Sequence, residues 1–237
     1  NFNGRVEVSG GSPEGSVRMR ADVRNPDRTN YSLGQDGNTI RVGSKRKGKL
    51  GIFQFKGMDR VTHIKVTIPT NAEVSIHASN GRVELKNVEG TVNLHTSNGR
   101  ITLADVKGEI DAHTSNTLIE VMNVKGAVDL RTSNGKITIQ ESAGVFTAVT
   151  DNGSVQFGVE FESAGVNRFK TSNGSVKVRL RGELSLKLEA STSNGSAQCS
   201  QPLVQHGLSG KNHLIGTIGA GDASLTLQTS NGSILVD

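Results

Sequence analysis

The feature that most constrains this chain is the tripeptide Ser-Asn-Gly, which returns at a nearly fixed interval along most of its length. The sequence separations between successive asparagines of this turn are 18, 18, 18, 18, 21, 21 and 37. These asparagines are Asn80, Asn98, Asn116, Asn134, Asn152, Asn173, Asn194 and Asn231, and two of the eight turns differ by one residue: Ser115-Asn116-Thr117 and Asp151-Asn152-Gly153. A fixed period near 20 residues is typical of stacked structural units that pack only on their neighbours. We interpret the last interval as about two coils, one of which has lost its turn.

Each repeat carries two short stretches in which apolar and polar residues alternate. Val83 and Leu85 flank a polar Glu84, and Val92 and Leu94 follow in the second stretch. Alternation with a period of two predicts half-buried strands. A second corner lies between the two stretches, at residues 87–90, 105–108, 123–126 and 141–144, and its last residue is a glycine that recurs with the same period as the turn. Since Asn and Gly tolerate positive φ, the two kinds of corner are expected to turn there.

Equivalent strands recur after every second corner, so we expect them to stack in parallel, one coil above the next. The turn asparagines would then lie about 4.8 Å apart, and their side-chain amides would form a hydrogen-bonded ladder. The predicted fold class is all-β: a parallel, β-helix-like solenoid of about 18–21 residues per coil. We divide the chain into an irregular, β-rich N-terminal cap, residues 1–70, and the repeat solenoid, residues 71–237, in one continuous elongated domain. A cap is expected because an open solenoid end exposes unpaired strand edges.

The basic character of the chain, whose pI is about 9.5, belongs to the N-terminal segment. Residues 1–70 contain 13 Lys and Arg against 6 Asp and Glu, whereas residues 71–237 contain 14 against 16. Lys45, Arg46, Lys47 and Lys49 are clustered there and form a candidate anion-binding site. Such a cluster is compatible with a solvated loop, an acidic glycan, a membrane surface or nucleic acid. Nucleic acid is disfavoured, because no nucleic-acid-binding motif surrounds the cluster.

A column of histidines is predicted on an outward-facing surface of the solenoid. His77, His95 and His113 recur with the period of the turn, and Asp111 and Asp129 lie on the same face. Imidazole and carboxylate groups can bind zinc or respond to pH, so this face is a candidate metal-binding or pH-sensitive surface. The alternative is a polar surface on which His and Arg pair with Asp across strands.

Catalytic signals are sparse in the sequence. The parallel β-helix enzymes that cleave polysaccharides need acidic clusters in a groove bounded by long loops, whereas the regular coils here have minimal loops. We therefore predict that the chain is not an enzyme. The alternative function is a carbohydrate-active β-helix of the lyase or hydrolase type. No cofactor is predicted, and no apolar run is long enough for a transmembrane segment. The chain begins with Asn1 rather than Met, which suggests processing or trimming.

Three stretches resemble the bacterial and archaeal putative-adhesin family. They are the recurring Thr-Ser-Asn-Gly-x-Ile/Val unit, the Ile-Pro-Thr-Asn-Ala-Glu-Val segment over residues 68–74, and the closing segment from Gly219 to Ile234. The resemblance implies a β-solenoid domain of mostly unassigned function on cell-envelope or secreted proteins. It carries over no catalytic or binding residues.

The sequence therefore predicts a non-enzymatic scaffold or adhesin-like protein that is extracellular or part of the cell envelope. Its polar sheet faces would be presented to a polysaccharide or a cell-surface protein. Homo-oligomers or filaments through the solenoid ends are also predicted, because the final strand, with Ile234 and Val236, is expected to leave a free edge for a neighbouring copy.

Overall fold

The computed structural model describes residues 4–13, 15–23, 29–46, 62–162, 164–206 and 210–237. Within these residues the structure consists of 20 β-strands and has no helix. One mixed sheet holds 18 of the strands, and the other two form a hairpin. In this described part of the chain there is no helix with the length and apolarity needed to cross a membrane.

The strands, in chain order, are β1 (Gly4–Gly10), β2 (Arg18–Val23), β3 (Thr29–Asp36), β4 (Thr39–Arg46), β5 (Thr62–Ile68), β6 (Val74–Ala78), β7 (Arg82–Glu89), β8 (Val92–Thr96), β9 (Ile101–Thr114), β10 (Ile119–Thr132), β11 (Ile137–Thr150), β12 (Val155–Phe161), β13 (Val166–Thr171), β14 (Val176–Leu180), β15 (Leu186–Asn194), β16 (Ala197–Cys199), β17 (Val204–Gln205), β18 (His213–Ile218), β19 (Ala223–Asn231) and β20 (Ile234–Val236).

Each regular coil contributes one strand segment to each of two faces. Face 1 contains the strand that follows each Ser-Asn-Gly turn, and its spatial order is β5-β1-β7-β9-β10-β11-β12-β14-β20-β16. Face 2 contains the strand that precedes the next turn, in the order β6-β8-β9-β10-β11-β13-β19-β15. All of these pairings are parallel, which confirms the predicted β-solenoid. The long strands β9, β10 and β11 run through the second corner and belong to both faces.

The core is the space between the two faces, filled by the residues that the alternation directs inward. Val83 and Leu85 of β7 are fully buried, the equivalent residues of β9, β10 and β11 are buried as well, and their counterparts in β16, Ala197 and Cys199, are partly buried. The rings of Phe157 and Phe169 stack across the interior, with centroids 3.6 Å apart. Burying each such side chain stabilises the fold by about 1.5–3 kcal/mol, so small β-branched residues suffice for a solenoid this narrow.

The asparagines of the Ser-Asn-Gly turns form a continuous ladder along one edge of the solenoid. In each step an Nδ2 donates to the Oδ1 of the neighbouring asparagine, at 2.6–2.8 Å, and the spatial order is Asn80, Asn98, Asn116, Asn134, Asn152, Asn173, Asn231, Asn194. From the second turn onwards the residue before the turn is a threonine, which is buried and donates to a backbone carbonyl of a neighbouring turn. For example, Thr150 Oγ1 donates to Gly135 O at 2.9 Å.

Positive φ occurs at the second corner and not at the Ser-Asn-Gly turn, contrary to the expectation. The first residue of each second corner, Asn87, Asp105, Asn123 or Glu141, has a φ of 50° to 56°. The Ser-Asn-Gly glycines are needed for another reason: a Cβ on Gly153 would collide with the backbone carbonyl of Gly135 in the adjacent coil. Close stacking of the coils, rather than backbone conformation, therefore favours glycine at that turn, although Thr117 occupies the position in one coil.

The coil becomes longer between β11 and β13, where the sequence separation of successive turn asparagines rises from 18 to 21. Two buried side chains replace missing backbone partners in this region. Ser142 Oγ accepts a hydrogen bond from the Val124 amide at 3.0 Å. Asn167 Oδ1 accepts one from the Phe146 amide at 2.8 Å. Because a buried unpaired amide costs about 1–3 kcal/mol, these two side chains let the ladder continue through the change of repeat length.

The C-terminal coils are interleaved, which corrects two expectations. The coil β19–β20 lies between β13–β14 and β15–β16, so β20 pairs with β14 on one side and β16 on the other. Ile234 and Val236 are accordingly buried, and the final strand is not the free edge that was expected. The long last interval between turns is not a worn coil pair either, because it contains the antiparallel strands β17 and β18, with β18 lying against β15.

The N-terminal strands join the same sheet. β1 lies between β5 and β7 in parallel register, so face 1 extends into the segment before residue 70. β2 pairs antiparallel with β5. The hairpin β3–β4 forms the separate two-stranded sheet. The boundary drawn at residue 70 therefore does not coincide with an edge of the main sheet, although the antiparallel β2 does cover β5 as a cap would.

Candidate functional site

The basic cluster predicted to bind anions is only partly described. Lys45 and Arg46 are the last two residues of β4, opposite Asn30 and Thr29 of β3. Lys47 and Lys49 lie outside the described residues. The anion-binding role of this cluster stays a prediction.

The histidine column lies where the sequence predicted it, on the exterior of face 2. His77, His95 and His113 occupy one register row, with ring centroids 6.0 Å and 6.4 Å apart. Arg131 continues the row and forms a bidentate pair with Asp129, at 2.8 and 2.7 Å. These hydrogen bonds, with the nearby negative charge, raise the pKa of Arg131 above its ordinary value.

The geometry of this row does not resemble a metal site. His113 Nε2 lies 3.1 Å from Asp111 Oδ1, but the ring is not aligned to form a hydrogen bond with it. Within the described ranges, no three His, Cys, Asp or Glu side chains converge so that they could hold a metal ion. A flat sheet spreads its ligands in a plane, whereas zinc needs them around a point. The arrangement fits the alternative interpretation, a polar surface with His and Arg beside Asp.

A groove that the sequence analysis did not identify opens on the exterior of face 1. It has a volume of about 400 Å³ and spans β11, β12 and β14. Its exterior lining comprises Thr138, Gln140 and Glu141 from the first coil, Gln156 and Gly158 from the second, and Lys177, Arg179, Arg181 and Asp237 from the coils beyond. The groove lies where the register between β11 and β12 shifts, between Gln140 and Ser142.

The groove exists because one exterior position of β12 has no side chain. Gly158 pairs with Gln140 on one side and Arg179 on the other, and both neighbours project long side chains. A depression therefore forms between them in a surface that is otherwise covered by side chains. A glycine inside a strand often marks a place where another group approaches closely.

The groove carries three cations and two carboxylates. Lys177, Arg179 and Arg181 are exposed, and none of them forms an ion pair with a carboxylate of the described residues. By contrast, Arg5, Arg82 and Arg100, further along face 1, all pair with glutamates. At one end of the groove, Asp237 Oδ1 accepts a hydrogen bond from Ser200 at 3.3 Å. The groove therefore offers amide and hydroxyl groups together with three cations that form no ion pair among the described residues, and its two carboxylates offset part of the positive charge.

The signal for this groove was present in the sequence as Val155-Gln156-Phe157-Gly158-Val159, a glycine at an outward position of a strong strand pattern. Its meaning depended on the neighbouring coils. The partners of Gly158 belong to the coils before and after its own, and the groove appears only when these strands are stacked in register.

Comparisons with known proteins place the chain in a family. No curated protein matches it. Among solved structures, it is similar to a putative cell adhesion protein from Clostridium sporogenes ATCC 15579, at 12% identity and a TM-score of 0.26, over 99% of this chain and 88% of that one. At that identity and TM-score, the likeness establishes nothing about function. The model of the Toastrack DUF4097 family matches residues 6–237, and over that length the chain belongs to the Toastrack DUF4097 family, as the resemblance of its repeat unit had indicated.

Proposed function

We propose that this chain is a non-enzymatic, adhesin-like scaffold that acts at the cell surface or as a secreted protein and binds a glycan or protein partner on its sheet faces. The observation that carries this proposal is the groove on face 1, where exposed cations and amides line a depression in a regular polar surface. Binding sites are commonly concave and contain a few convergent polar groups.

The rigidity of the scaffold supports this function. The asparagine ladder is continuous over eight turns, and the buried threonines tie neighbouring turns together. A surface held in this way loses little conformational freedom on binding, so more of the contact energy appears as affinity. A regular sheet also repeats its side chains about every 4.8 Å, which suits a partner that is itself repetitive.

Other contacts remain part of the proposal. The cluster of Lys45, Arg46, Lys47 and Lys49 is a second candidate for an acidic partner, and the histidine row on face 2 is a second polar surface. Self-association through β20 is not proposed again, because both of its edges are paired. Association through the other end strands, including β2, is a separate prediction.

The test is co-sedimentation of the protein with a panel of acidic and neutral polysaccharides, in which the same tubes are assayed for new sugar ends. Retention on an intact polymer supports the scaffold function. A fall in polymer length refutes it in favour of the carbohydrate-active enzyme. Pelleting to the same extent without any sugar would instead indicate self-assembly, which electron microscopy of the pellet would examine.

A further inference from the structure

We propose that the groove around Gly158 is an anion-selective subsite that takes a carboxylate- or sulfate-bearing unit of an acidic polysaccharide. This inference rests on the proposed function, and it specifies the ligand class and the residues that recognise it. Three observations carry it: the unexplained glycine, the unpaired cations, and the hydrogen-bonding groups between them.

Gly158 is not required by the fold. Its φ lies outside the positive range, and a Cβ built on it would meet its nearest neighbours, Arg181 Nε and Arg179 Cβ, at 3.8 and 3.9 Å, which is ordinary contact. Gly144 differs, because its φ is 140° and its Cβ would strike the carbonyl of Gly126. A glycine inside a strand lowers stability, so an unconstrained one on a strand exterior points to a gain outside the fold.

The cations are arranged to meet one ligand. Lys177 and Arg179 are alternate residues of β14 and project from the same side of face 1, roughly 7 Å apart along the strand. The side chain of Arg181 reaches back over Gly158, with Nε closest to the missing Cβ. Guanidinium groups bind carboxylates and sulfates in bidentate fashion, and these two are not occupied by carboxylates of the described residues. An anionic group over Gly158 would therefore complete pairs that the described chain leaves open.

The remaining lining groups favour a sugar over a nucleic acid. Gln140, Gln156 and Thr138 supply donors and acceptors for hydroxyl groups along the groove. Binding of single-stranded nucleic acid relies on exposed aromatic rings that stack on bases. The one aromatic side chain of the lining, Phe157, is only 4% exposed and stacks inside the core. Glu141 and Asp237 also line the groove, so the anionic unit of the ligand is expected to sit beside the cations of β14 and Arg181 and away from these carboxylates.

The experiment measures binding of polygalacturonate, dextran sulfate, neutral dextran and a single-stranded oligonucleotide by the whole chain and by four variants. Gly158→Gln fills the floor with the side chain that Gln140 carries one coil away, and Arg179→Ala and Arg181→Ala remove cations. Lys86→Ala is the matched control, since Lys86 is an exposed cation in the same exterior row of face 1, with β9, β10 and β11 between its strand and β12. Thermal unfolding of each variant reports on folding, and Gly158→Gln is expected to be at least as stable as the parent protein.

We expect an acidic polymer to bind, with affinity falling at least tenfold in Gly158→Gln and about three- to tenfold in each arginine variant, and with no change in Lys86→Ala. The polygalacturonate and dextran sulfate arms show whether carboxylate or sulfate is preferred. Polymer binding that is unaffected by Gly158→Gln, or reduced equally by Lys86→Ala, overturns the subsite but leaves the scaffold function standing. Equal binding of neutral dextran, or tighter binding of a single-stranded oligonucleotide, overturns the ligand class. Failure of every polymer to bind overturns the subsite and the glycan-binding form of the scaffold function, and leaves a protein partner as the form still to be tested.

Discussion

The asparagine ladder predicts a stability difference between an internal and a terminal position. Asn116 takes part in two ladder bonds: its Nδ2 donates to Asn98 Oδ1 at 2.6 Å, and its Oδ1 accepts from Asn134 Nδ2 at 2.8 Å. Asn194 lies at one end of the ladder and makes one such bond among the described residues, with Asn231 at 2.8 Å. The backbone bond of Asn116, from its amide to Ser97 O, survives substitution.

Each ladder bond is exposed, so we assign it the lower half of the usual net range, about 0.5–1 kcal/mol. Asn116→Ala should therefore lower the free energy of unfolding by about 1–2 kcal/mol, and Asn194→Ala by about half as much. Neither position has a positive φ, so alanine adds no backbone strain. Urea denaturation followed by circular dichroism measures both values, and a midpoint shift of roughly 0.5 M is expected for Asn116→Ala.

Asn116→Asp separates hydrogen bonding from side-chain size. It keeps an acceptor for Asn134 but loses the donor and places a carboxylate against Asn98 Oδ1. The repulsion should raise the pKa of the new carboxyl in the folded state, so the lost stability should return as the pH falls towards about 4. Equal costs for Asn116→Ala and Asn194→Ala, or no cost for either, would refute a stabilising ladder.

Three further predictions follow from other positions. Gly108→Ala should destabilise the protein by about 2 kcal/mol or more, because Gly108 has a φ of 127° and an added Cβ would strike the Gly90 carbonyl. Thermal unfolding measures this loss, and Gly158→Ala, which is expected to be neutral or stabilising, is the control. Ala164→Gly should stabilise by up to about 1 kcal/mol, since Ala164 has a φ of 61°, and a lowered urea midpoint would contradict it. Burial raises the pKa of the Cys199 thiol above its ordinary value, so iodoacetamide should modify the native protein more slowly than the denatured chain. Because the thiol ionises more readily once unfolded, its linkage should lower stability as the pH rises above about 8.5, and equal alkylation rates would contradict the burial.

The sequence was sufficient for the stacked architecture because that architecture is repeated. A constant period gives the same pattern in each coil, so Val83, Ile101 and Ile119 could be aligned and placed on the interior without knowing the fold. The register observed in the structure joins these same residues. An alternating pattern that repeats in every coil identifies the strands and their buried residues more reliably than the sequence of any single strand does.

The parts that could not be predicted depend on contacts without a period. The turn glycines were explained by φ, whereas the cause is the carbonyl of the adjacent coil, which a single sequence does not display. Several strands carry the same alternating pattern, so the pattern around Ile234 and Val236 is compatible with more than one position in the sheet. The position of β19–β20 could therefore not be predicted from the pattern. The groove required the neighbours of Gly158 to be known. Each of these depends on the order of the coils in space.

The interleaved final coil makes the spatial order of the coils differ from their order of synthesis. β15 and β16 are made before β19 and β20, yet the later pair fills the place directly against β13 and β14. A ribosome-bound chain that ends before residue 223 would have either an unfilled gap or β15–β16 docked one place too early, and the latter would have to be displaced. A simple solenoid can grow by adding coils to its end. Here the C-terminal coils can reach their final strand pairing only after the last strands, β19 and β20, have been synthesised.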